Sequence, residues 1–149
     1  MKPRDVLFLM GLTFALIVAL WVGFAALAPS MPVSAQNAYQ TSEAVPFDNT
    51  ATLSAPINLT GKYVVGIQMP ASWTTANITF QGSHDCSTYA NVYDVYGTEY
   101  TITTAASRFI NVPPAAFAGV TCLKLRSGTS GTPVTQTVTP TLQLIWRPL

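Results

Sequence analysis

The sequence predicts an all-β fold: a jelly-roll-like antiparallel β-sandwich preceded by a single N-terminal transmembrane helix. Two observations carry that expectation. From Val6 to Ser42 the chain has no Asp, Glu, Lys, Arg or His. From Thr50 to Leu149, Thr fills 18 of 100 positions, Val, Ile, Tyr and Phe are frequent, and apolar and polar residues alternate. β-branched and aromatic residues in short, turn-bounded runs are a strand signature. The 149 residues hold one modest domain and one short appendage.

The appendage divides into residues 1–5, a short cationic end with Lys2 and Arg4, and residues 6–28, VLFLMGLTFALIVALWVGFAALA. At 1.5 Å per residue a helix over 6–28 spans about 35 Å, enough to cross a ~30 Å hydrocarbon core with some tilt. Pro29 and Pro32 end it. Lys2 and Arg4 belong on the cytoplasmic side, which puts the C-terminal domain outside the cytoplasm. A cleaved signal peptide is the competing reading, because Val33-Ser34-Ala35 fits a small-residue cleavage site. The apolar run exceeds the usual 7–15-residue core of a signal peptide, which favours an uncleaved anchor. Gly11, Ala15, Ala19 and Gly23 recur every four residues and would form one stripe of small side chains for helix–helix packing. Residues 29–50, rich in Pro, Ser, Ala, Gln and Asn, read as an extended linker.

Residues 51–149 read as the sandwich. Tyr63, Val65, Ile67 and Met69 are expected on one face of a strand. Ile78 and Phe80 alternate with Asn77, Thr79 and Gln81, and Tyr100 and Ile102 with Glu99, Thr101 and Thr103. Ile110 and Val112 follow Arg108. Leu123 and Leu125 alternate with Cys122, Lys124 and Arg126, and Leu142, Leu144 and Trp146 with Gln143, Ile145 and Arg147. Pro and Gly breakers separate the runs, so each strand is half buried.

Cys86 and Cys122 are the two cysteines. Outside the cytoplasm they are expected to pair, although two free thiols fit the sequence as well. A bridge would add roughly 3–4 kcal/mol on the chain-entropy account. Cys122 falls out of phase with the core leucines and is expected to face outward. Asn58-Leu59-Thr60 and Asn77-Ile78-Thr79 match the N-glycosylation pattern, as expected by chance in a Thr-rich chain.

The chemistry-bearing residues are sparse. Charged residues make up 9% against about 25% in typical domains. A net charge of +1 without a basic cluster excludes a nucleic-acid partner. His84, Asp94 and Cys122 lack the spacing of a catalytic constellation, and one His with two Cys falls short of a closed zinc site. Asp85, Asp94 and Glu99 offer oxygen ligands without a calcium-loop motif. Asp94 and Glu99 flank a hairpin turn at Tyr96-Gly97 and are expected at the surface. No catalytic residue, metal or cofactor is therefore expected. Trp73, Tyr89, Tyr93 and Tyr96 are the candidate ligand contacts, since rings at loop ends can stack on sugars.

The stretches GIQMPASWTTANITFQGSHDCSTYANVYDVYGTEYTI, SRFINVPPAAFAGVTCLKLRSG and TPVTQTVTPTLQLIWRPL resemble a small β-sandwich domain of tailed-phage and prophage proteins. They also resemble the discoidin-like, galactose-binding-like jelly roll. The resemblance covers the last 85–100 or so residues and not the anchor. It implies a non-enzymatic structural or interaction protein, a virion component of a membrane-containing phage. Its partners would be the lipid bilayer and other capsid or surface subunits. The alternative is a bacterial cell-surface module for carbohydrate binding or adhesion.

Overall fold

The computed structural model describes residues 40–149. The expected helix over 6–28 and its stripe of Gly11, Ala15, Ala19 and Gly23 lie outside the described residues. Among the described residues no helix is long and apolar enough to cross a membrane.

Eight strands follow in order: β1 Thr41–Pro46, β2 Ile57–Asn58, β3 Lys62–Gln68, β4 Ile78–Ser83, β5 Ala90–Asn91, β6 Phe109–Asn111, β7 Cys122–Ser127 and β8 Thr141–Pro148. A 3-10 helix, Pro114–Phe117, sits between β6 and β7. The strands form two four-stranded sheets, ordered β1-β8-β3-β6 and β2-β7-β4-β5, and every pairing is antiparallel. The fold is therefore all-β and sandwich-like.

Alternation along each strand sends one set of side chains between the sheets. Ile67, Leu142 and Leu144 from one sheet meet Ile78, Phe80, Leu123 and Leu125 from the other, all at 0% exposure. Phe80, Tyr100 and Phe117 form an aromatic cluster with centroids 4.7–5.8 Å apart. Tyr100 and Ile102 reach the core as expected, but their segment touches the sheet by single bridges instead of a full strand.

Three sequence expectations are corrected. First, β1 falls inside 29–50, the stretch read as a linker. Val45 and Phe47 are buried at 3% and 0%, so the domain already includes this segment. An edge strand pairs on one side only, which is why its apolar period is weak and a Pro is tolerated at its end. Second, β3 carries a bulge between Val64 and Gly66. The extra residue shifts the phase: Val64, Ile67 and Met69 are buried, whereas Tyr63 is 37% exposed. Third, Thr79 is fully buried and not on a wet face. Its hydroxyl donates to the Gly128 carbonyl at 2.8 Å, which satisfies it where water cannot.

Gly128 holds that carbonyl in place with φ +87°, a left-handed conformation. A Cβ at this position would also collide with the Thr132 carbonyl oxygen. Gly128→Ala is therefore expected to destabilise by about 1–3 kcal/mol from the backbone alone, read as a lower thermal midpoint. Gly131→Ala has open space around its Cβ and serves as the control.

Candidate functional site

Past β5 the chain runs to a tight hairpin at the edge of the second sheet. Tyr93 bridges to Glu99, and the Asp94 amide donates to the Thr98 carbonyl at 2.8 Å. The Asp94 carboxylate oxygen Oδ1 accepts the Tyr96 and Thr98 amides, both at 2.9 Å. Gly97 turns the chain with φ +80°. An Asp followed by a positive-φ Gly is the local signal for such a turn. The result is a fixed tip that presents Val95 and Tyr96 to solvent at 93% and 90% exposure, with Tyr93 at 52%.

The base of the hairpin is tied to the sheet by a buried polar cluster. Arg126 Nη1 lies 3.2 Å from Glu99 Oε1, with side chains 9% and 14% exposed. Arg126 Nη2 donates to Asn91 Oδ1 at 2.8 Å, and the Ser130 amide donates to both Glu99 oxygens. Glu99, expected at the surface, is thus a structural anion. Nothing in local spacing signals this, because Arg126 lies 27 residues further on.

Beside the hairpin lies the β4–β5 loop. Cys86 and Cys122 are bonded, with Cα atoms 5.1 Å apart. Cys122 is 4% exposed, not outward in solvent as its phase suggested. It does leave the core face, and the bridged loop covers it. Cys86 takes a left-handed backbone, φ 60°. Asp85 stabilises that turn by accepting the Ser87 and Thr88 amides and the Ser83 hydroxyl at 2.8–2.9 Å. The Thr88 and Ser87 amides, with the Ser83 hydroxyl, hold the Asp85 carboxyl well below the usual carboxylate range. Its folded pKa is depressed, so its contribution is present above the ordinary value of 3.8 and fades as pH falls from there toward the lower folded value. Protection of the Ser87 and Thr88 amides, measured as exchange relative to the unstructured chain at the same pH, is expected to weaken progressively as pH falls below about 4, and Asp85→Asn should remove that pH dependence.

Along β5 and the end of β4, against Val120, runs an open groove of about 390 Å³, lined by His84, Thr88, Ala90, Val92, Tyr93 and Val120 among others. Of the four candidate contacts, the structure brings Tyr93 and Tyr96 together at the hairpin. Tyr89 is half buried, with Lys124 Nζ 4.1 Å above its ring. Trp73 is corrected outright: it is 5% exposed, stacks edge-on against Phe47 at 5.4 Å, and donates Nε1 to the Ala76 carbonyl at 3.0 Å. Its ring fills the core and offers no face to a sugar. Sequence reasoning did not single out Val95, which alternation alone cannot place at a tip.

Among the described residues no group of three or more His, Cys, Asp or Glu side chains is placed to hold a metal. Asp85, Asp94 and Glu99 are each engaged by their own turn or by Arg126. What the arrangement offers chemically is contact: exposed rings and a Val on a braced edge, next to a shallow groove. No protein-family model, no curated protein and no solved structure matches this chain.

Proposed function

We propose that the chain is a non-enzymatic structural or interaction protein, anchored in a membrane by residues 6–28 and displaying its β domain outside the cytoplasm, as a virion component of a membrane-containing phage. The observation that carries this reading is the strand order. β1 pairs β8, β2 pairs β7, β3 pairs β6 and β4 pairs β5. We read these pairings as one long antiparallel hairpin rolled into two sheets, as in an eight-stranded jelly roll, an architecture used by viral capsid and lectin domains. The fold does not by itself dictate the role. The braced hairpin tip, with Val95 and Tyr96 exposed, adds a contact surface of the kind such a role needs. A photo-reactive residue in place of Tyr96, in particles or membranes carrying the chain, is expected to cross-link to a neighbouring protein subunit. Cross-linking to no protein would overturn the reading.

A cell-surface module binding carbohydrate is the second reading. It is supported by Tyr93, half exposed along a groove that also holds His84. It predicts saccharide binding that Tyr93→Ala abolishes; a glycan array without hits would remove it.

A further inference from the structure

We infer that the Cys86–Cys122 bond is a thiol-exchange site opened and closed through Cys86, with a small soluble thiol as its reaction partner. The two sulfurs belong to residues in unlike surroundings. Cys86 is exposed in the β4–β5 loop, whereas Cys122 is 4% exposed. Cys122 lies on a strand paired on both sides, opposite Asn58 of β2 and Ser83 of β4. The loop that carries Cys86 covers it. Thiol–disulfide exchange is a displacement at sulfur, so its rate depends on which sulfur the attacking thiolate reaches. From solvent that sulfur is Cys86 Sγ.

The incoming thiolate bonds to Cys86 Sγ as the Cys86–Cys122 bond breaks. The electron pair leaves on Cys122 Sγ, which takes a proton from water. A second thiolate then attacks the partner's sulfur in the mixed disulfide and releases Cys86 as a thiol. Two small thiols are thus oxidised to their disulfide as the bridge is reduced. Closure runs these steps backwards: Cys86 attacks the small disulfide, and Cys122 displaces the thiol bound to Cys86. The turn around Cys86 has supports that do not need the bridge. Asp85 Oδ1 accepts the Ser87 and Thr88 amides and the Ser83 hydroxyl. Tyr89 lies under Lys124, which shares one face of β7 with Cys122, and its hydroxyl donates to the Cys86 carbonyl at 3.4 Å. These contacts keep Cys86 near Cys122 once the bond opens, so the bridge can close again.

The test treats the oxidised, folded full chain in detergent micelles with reduced glutathione at about pH 8, where thiolate is available. Acid stops the exchange by protonating thiolates, and peptide mass spectrometry maps the mixed disulfide. Glutathione is expected on Cys86 at roughly tenfold its level on Cys122, because access selects the sulfur attacked. In the urea-unfolded chain both sulfurs are open, and the ratio should fall to within about threefold of unity. Equal labelling in the folded chain, an excess on Cys122, or no mixed disulfide until the chain is unfolded would each overturn the inference. A Cys86 preference that persists undiminished in urea would overturn it too, since the fold would then not be its cause.

Discussion

Replacing Cys86 and Cys122 together by Ser is expected to lower the thermal midpoint of the full chain by about 12–16 °C, at roughly 4 °C per kcal/mol for a domain of this size. The bridge joins residues 36 apart. On the chain-entropy account that removes about 3–4 kcal/mol of unfolded-state freedom. The loss has a local consequence as well. The bridge is the covalent tie between the β4–β5 loop and β7, and that loop carries His84 and one wall of the groove. Near-ultraviolet circular dichroism in micelles measures the midpoint, and amide exchange at Ser87 and Thr88 measures the loop. The loop is expected to open at temperatures where the core still holds. If oxidised and doubly substituted chains melt together within about 2 °C, well inside the predicted shift, the bridge does not constrain the unfolded chain in this way.

Arg126→Ala is expected to destabilise by about 3–5 kcal/mol, the range for removing one partner of a buried ion pair. The reason is what stays behind. Glu99, 14% exposed, would keep a buried negative charge with only the Ser130 amide to meet it, and Asn91 would lose its donor. Replacing both partners by apolar residues, Arg126→Met with Glu99→Leu, leaves no orphan charge and should recover most of the loss. A double-mutant cycle on thermal or denaturant unfolding isolates the coupling. Equal destabilisation by the single and double changes would show that packing, not charge, dominates. The exposed pair Lys62–Glu43, at 26% and 39% exposure, is the contrast. Breaking it should cost at most about 1 kcal/mol.

The parts of the fold legible in the sequence are those where period-two alternation survives. β4 and β7 bury apolar residues at every second position, and β8 does so as far as Leu144, so Ile78 and Phe80, Leu123 and Leu125, and Leu142 and Leu144 announced themselves; beyond Leu144 the phase is lost, with Ile145 buried and Trp146 only partly so. β2 and β5 have two residues each, too few for any period. β1 escaped because an edge strand needs little apolar sequence. The bulge in β3 broke the phase that made Tyr63 look buried. The candidate site was legible to the same extent. The turn signal at Asp94 and Gly97 located the hairpin, and Tyr93 and Tyr96 came with it. Trp73 carries the same aromatic signal but packs on Phe47, a contact that depends on β1 being in the sheet. The Glu99–Arg126 pair joins distant strands and is visible only in three dimensions.

We propose that a membrane-held chain presents this β domain outside the cytoplasm. The most direct test is alkaline extraction of membranes from bacteria producing the full chain, combined with protease treatment of intact spheroplasts and identification of the released peptides. The chain is expected to stay with the extracted membranes, and peptides from residues 40–149 are expected to be released from the outer side. A chain that leaves the membrane in alkali, or a β domain shielded from protease until the cells are lysed, would contradict it.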